Sequence, residues 1–258
     1  MSMAQQSLAQ HIALDRFYAI SAEINPVLAG DQVPPVDQCL CARDDNRAVL
    51  ETLYATLSEA YPEAGMPYWS VRTWGLMVWQ PIILTVIGVH GAGVLPPLQD
   101  LRQNVGTLMV AGYSLPDDGW EHGTEAQLTQ RGGQALRALC DSLLAELREI
   151  TLIKPLNALR LAADSLLSAI AGLDRIRPEL TQTQRLELAW TWLRAMGLEG
   201  QSALMPLPLA DGRTPLVLDR KGCCMHYRRH DGELCASCPK QKDEVRFTRL
   251  QEELLHDA

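Results

Sequence analysis

The feature that most narrows what this chain can fold into lies between Gly222 and Pro239, where four of the seven cysteines fall within eighteen residues. They form an adjacent pair, Cys223 and Cys224, then a ten-residue spacer, then Cys235-x-x-Cys238. That density marks a metal or cluster site. The spacer must fold so that both of its ends bring thiols to one place.

Composition sets the surroundings of that stretch. A chain of 258 residues with 47% hydrophobic content supports a substantial core. A formal net charge of -8 argues against a general nucleic-acid binder, because such proteins displace counterions with a basic surface. The charge is unevenly spread: Arg213 to Arg249 carries nine Lys and Arg against five Asp and Glu. This local excess favours an anionic small ligand or an acidic partner near the cysteines, and a solvated basic face explains it equally well. Met1 to Phe17 lacks the basic segment, apolar core and small-residue cleavage site of a secretory signal, so the expected location is the cytoplasm. Thiols stay reduced there, so clustered cysteines hold metal rather than form disulfides.

The chain before the cysteines reads as mainly helical. Leu8, Ile12, Leu14, Phe17 and Tyr18 suggest an amphipathic helix over Ser7 to Tyr18, interrupted at Asn25-Pro26. Ala29 to Asp45 reads as a loop, with Cys39 and Cys41 as incidental thiols. A second helix is expected over Asn46 to Tyr61. Thr73 to Gln99 carries no formal charge and is apolar enough to raise a membrane span. Gln80-Pro81 divides it, Gly88, Gly91 and Gly93 break its end, and no basic cluster orients it, so a buried helix packed against a sheet is expected. Peripheral contact with the inner membrane is compatible with either arrangement. Gly88-Val-His-Gly-Ala-Gly lacks the spacing and frame of a nucleotide loop.

Leu98 to Leu101 and Thr107 to Ala111 read as antiparallel strands. Helices are then expected over Thr124 to Thr151, with Gly132-Gly133 bending or splitting its start, over Pro155 to Gly172, and over Thr181 to Gly197 with Trp190 and Trp192 in the core. Asp211-Gly212 is the turn of a hairpin between Met205 to Leu209 and Pro215 to Asp219, and Lys240 to Leu255 closes the chain as a charged helix. The fold class is therefore α+β: a predominantly helical body with a small antiparallel sheet and a C-terminal cysteine-rich segment. Residues 1–200 form the body, and residues 201–258 hold the hairpin, the cysteines and the closing helix.

Four thiolates suit a structural zinc or an iron-sulfur cluster. Adjacent cysteines diverge, which fits one tetrahedral ion poorly and two irons better, so the spacing favours 2Fe-2S while zinc stays open. His226 and His230 are nitrogen alternatives that four cysteines make unnecessary. Asp231-Gly232 signals a turn, but a regular hairpin there would set Cys235 opposite Arg228, roughly 13 Å along the strand from Cys224. The hairpin therefore cannot stay regular. A bend at Gly222 and a curl at Ala236-Ser237 are expected instead.

The arrangement Cys-Cys-x10-Cys-x2-Cys-Pro, with Tyr227-Arg228 after the first pair, resembles the FhuF-type ferric siderophore reductases over about eighteen residues. The resemblance implies a 2Fe-2S cluster held by Cys223, Cys224, Cys235 and Cys238, and cytoplasmic release of iron from an imported hydroxamate or catecholate siderophore, with residues 1–200 on the siderophore side. Such hard oxygen donors hold ferric iron far better than ferrous iron, so one electron loosens the complex. Arg220, Lys221, Arg228 and Arg229 are candidates for holding an anionic chelate, and Met225, His226, Tyr227 and Arg228 for tuning the potential. No nicotinamide or flavin fingerprint is visible, so a separate ferredoxin, flavin reductase or thiol is the expected electron donor. A structural zinc module, or a siderophore-binding or biosynthesis domain without reductase activity, is the alternative.

Overall fold

The computed structural model describes residues 3–31 and 38–256, with only the backbone described for residues 3–11 and 31. The periodic apolar segments become α1 (Met3–Ile24), α2 (Arg47–Ala60), α3 (Met66–Ile87), α4 (Glu125–Ile150), α5 (Pro155–Ala171), α6 (Gln182–Ala195) and α7 (Asp243–His256). Thr124 and Thr181 cap α4 and α6, each in a reciprocal capping box with the glutamine three residues on. The side chain of Leu8 lies outside the described residues. Farther along α1, Leu14 and Phe17 are buried while Ile12 is exposed.

The strands are short: β1 (Gly30–Asp31), β2 (Cys39–Leu40), β3 (Val94–Leu95), β4 (Arg102–Val105), β5 (Val110–Ser114), β6 (Glu121–His122), β7 (Ala203–Pro206) and β8 (Leu216–Asp219). One sheet runs β1-β5-β4-β2, and two pairs, β3-β6 and β7-β8, stand apart. Among the described residues all pairings are antiparallel except β1 with β5, which is parallel. Three local expectations change here. The 29–45 stretch contributes β1 and β2, which put Cys39 opposite Asn104 in a ladder. Leu98–Asp100 is a turn of 3-10 helix rather than a strand, since Pro97 has no N–H to give a ladder. The Thr107 end of the second run is turn, and its strand begins at Val110.

The uncharged run is the central helix of the body. Two helices, Met66–Ala92 and Pro155–Arg175, are long and apolar enough to cross a membrane, but 78% of the qualifying window in the first is buried inside the protein. Trp74 lies fully buried and donates its indole N–H to the Ala158 carbonyl, 2.8 Å away, tying α3 to α5. Pro81 sits inside α3 and has no N–H for the Met77 carbonyl four residues back. The Gln103 side chain of β4 donates to that carbonyl instead, at 3.0 Å, so the sheet satisfies what the proline left open. A π-helical turn, Gly88–Ala92, ends the helix. His90 there is buried and accepts a hydrogen bond from Trp192 at 2.9 Å, as a core histidine.

Gly132 and Gly133 lie inside an α4 that runs unbroken from Glu125 to Ile150. Their missing side chains serve packing: a Cβ on Gly133 would stand 2.3 Å from the Ala195 Cβ of α6. On α6, Trp192 is buried and Trp190 is exposed, because two positions apart on a helix point about 200° apart. Past this body a second, smaller core gathers Leu207, Leu209, Val217, Ala236 and Leu250. It joins the β7-β8 hairpin to α7, and the cysteine stretch is strung between them.

Candidate metal centre

The backbone turns at Gly222, where a Cβ would press to 3.0 Å from the Arg160 Cβ on α5. That close approach delivers Cys223 to the first turn of α5. Asn157 grips it there, accepting from the Cys223 N–H and donating to its carbonyl, both at 3.3 Å. Met225 then takes a left-handed conformation, φ 58°, which is uncommon for a residue with a side chain. This turn points successive amides back at the sulfurs: the Met225 N–H reaches Cys223 Sγ at 3.4 Å, and the His226 N–H reaches Cys224. Paired amides of this kind form a cradle for negative charge.

The spacer does not form a ladder. His226–Arg228 is a 3-10 turn, continued by bonds from the Arg229 N–H to the His226 carbonyl and from the Gly232 N–H to the Arg229 carbonyl. Gly232 is required because a Cβ would lie 2.1 Å from the His226 oxygen. The chain returns through a second turn, in which the Cys238 N–H donates to the Cys235 carbonyl at 2.9 Å across Ala236-Ser237. Gln241, itself held by Arg249 at 2.7 Å, donates to the carbonyls of Cys235 and Ala236 and fixes that turn. The bend at Gly222 and the curl at Ala236-Ser237 thus occur where the sequence placed them.

Folding this way brings together residues that a regular hairpin would separate. Cys224 interacts with Cys235, and Cys223 with Cys238. Cys223 and Cys238 are buried, and Cys224 and Cys235 are half-buried. The Cys235 partner, the His226 amide and Arg220 pull the Cys224 thiol down to about 5, whereas the proton shared with Cys224, together with burial, pushes Cys235 up. Burial also raises Cys223. Arg220 Nη1 lies 3.7 Å from Cys235 Sγ, and its Nε donates to Asp164 Oδ2 at 2.9 Å. Asp164 is buried on α5 and accepts from Ser202 at 2.6 Å.

Among the described residues, no three His, Cys, Asp or Glu side chains gather as a single-ion site. Two thiol pairs with amide and guanidinium donors suit a larger sulfur-bridged centre, so the donor set fits a 2Fe-2S cluster. The four basic candidates are dispersed. Arg220 faces the thiols, the Lys221 ammonium reaches the Gly200 carbonyl at 2.8 Å, and Arg228 donates to the Ala64 carbonyl at 2.6 Å. Arg229 pairs with Asp231 and stacks over the Tyr61 ring, 4.1 Å from its centre. His230 binds Glu63, whose carboxyl is lowered by that contact, and His226 meets the Tyr68 ring. The body's 61–68 segment therefore clasps the spacer.

Asn157, Asp164, Ser202 and Gln241 belong to the site although they stand outside the cysteine stretch. Asp164 alone left a sequence signal, as an acid within the apolar run from Leu161 to Leu167 of a helix face.

Residues 220–240 match the family model described as the FhuF 2Fe-2S C-terminal domain. No solved structure matches the chain. The match covers all four thiols and Arg220.

Proposed function

The chain carries a FhuF-type C-terminal segment, whose cofactor is a 2Fe-2S cluster, and from this we propose that it is a one-electron reductase of ferric siderophores. The observation that carries the proposal is that Cys223, Cys224, Cys235 and Cys238 all lie inside the matched residues, with Cys224 interacting with Cys235 and Cys223 with Cys238. These four side chains would hold the cluster, which supplies one-electron transfer.

The chain's own residues set the conditions. Asn157 and the two turns position the thiols, and the Met225 and His226 amides with Arg220 stabilise sulfur as thiolate. Half-exposed Cys224 and Cys235 leave the centre one side near solvent. Exposed Lys221 and Arg228 flank the segment and offer cationic contacts to a hydroxamate or catecholate complex, with Arg229 beside them. Hard oxygen donors hold ferrous iron weakly, so delivering one electron to the chelate is sufficient for release. A ferredoxin, flavin reductase or thiol in the cytoplasm would supply that electron, and contact with the inner membrane, where imported chelate arrives, is compatible with this role.

The test uses protein purified anaerobically and reduced with dithionite, then freed of excess reductant. Mixed with a ferric hydroxamate or catecholate and a ferrous-trapping chelator, it is expected to yield about one trapped ferrous ion per cluster. Chelate binding without ferrous release would contradict the reductase.

A further inference from the structure

The cysteines are not four equivalent ligands. Cys223 and Cys238 are buried, 8% and 2% exposed. Cys224 and Cys235 are half-exposed, and the Arg220 guanidinium lies against Cys235. The guanidinium is held from behind. Asp164 has a side chain only 6% exposed, and an acid so enclosed persists where a cation and a hydroxyl satisfy it, here Arg220 and Ser202. Spending its Nε on Asp164 leaves the planar fork of Arg220 aimed, through Nη1, at Cys235.

We propose that Asp164 positions Arg220 to offset negative charge at Cys235 and so at the centre that the four thiols hold. This rests on the four cysteines being the cluster ligands. Reduction adds one electron and hence one negative charge to the centre, so a cation held against Cys235 raises the potential. Asp164 taken as a bare charge would lower it. Asp164 acting through Arg220 supports it, and the two roles have opposite signs on removal.

The experiment measures the midpoint potential of the loaded, full-length protein by stepwise reduction with dithionite, followed by absorption and EPR. Arg220→Gln is expected to shift the reduction equilibrium about tenfold toward the oxidised form, about 59 mV for one electron. Arg220→Lys should recover part of that shift. Asp164→Asn should lower the potential, whereas a rise would overturn the positioning role. The double variant D164N/R220Q, which buries no unpaired charge, should match R220Q alone, and an additive shift would also overturn it. Wild type that loads no 2Fe-2S cluster defeats the ligand assignment itself, whereas wild type that loads while the variants leave the potential unmoved defeats only this inference.

Discussion

Cys39 on the sheet with Cys41 just past it, and Cys224 with Cys235 in the C-terminal segment, both set sulfur against an arginine. Arg102 Nη1 lies 3.4 Å from Cys39 and Arg220 Nη1 lies 3.7 Å from Cys235. The outcome differs. Cys41 points its thiol at the Gln99 carbonyl, 3.5 Å away, and burial pushes it up. Cys41, like Cys223 and Cys224, takes a backbone N–H, in its case from Arg43, but Cys224 also has Cys235 beside it and is held down to about 5. Arg102 is itself bound to Asp44 at 2.8 Å in an exposed position, where solvent screens it, while Arg220 is enclosed with only 15% of its side chain exposed. A sulfur beside an arginine is thus not a metal ligand by that fact. Convergence of several thiols makes the difference.

The largest expected effect breaks the comparison outright. Cys238→Ala should abolish cluster incorporation, read as loss of visible absorption and of protein-bound iron and sulfide. Cys39→Ala and Cys41→Ala should leave both unchanged, and a loss of iron in either would place the sheet thiols in the centre. Gly232→Ala comes next. A methyl forced against the His226 carbonyl should cost about 1 to 3 kcal/mol and lower the melting temperature of the metal-free protein, as scanning calorimetry would show. Asn157→Ala, which removes two hydrogen bonds from Cys223, should speed loss of iron to a competing chelator by about tenfold with the fold intact by circular dichroism.

Why the two cysteine sets differ was only partly legible in the sequence. The turns at Gly222 and Ala236-Ser237 followed from local spacing, because a regular hairpin would have kept Cys235 from Cys224. Helix positions were legible for the same reason, since caps such as Thr124 and Thr181 and the 3.6-residue period are local. What joins distant segments was not. Gln103 answering the Met77 carbonyl, and Asp164 reaching Arg220 from fifty-six residues away, depend on how α3, α5 and the strands pack. Paired glycines were ambiguous as well: Gly132-Gly133 reads as a bend until the Ala195 side chain is seen against it.

The smallest effect concerns a thiol outside both sets. Cys140, buried in α4, is pushed up to about 12, above its ordinary value of 9.0. Above pH 9 the unfolded chain releases that proton and the folded chain keeps it, so stability falls as pH rises. The slope is about 1.4 kcal/mol per pH unit for one such thiol, approached only once pH exceeds 9. Urea unfolding at pH 8 and pH 10 checks this, and Cys140→Ala should flatten the difference.

The central claim is that the C-terminal thiols, and not those of the sheet, hold a two-iron centre. Its most direct measurement is iron, sulfide and zinc analysis joined to EPR on anaerobically purified protein. About two irons and two sulfides per chain, with a paramagnetic signal that appears on one-electron reduction, is the predicted result. A colourless protein with one zinc per chain and no signal after reduction would contradict it.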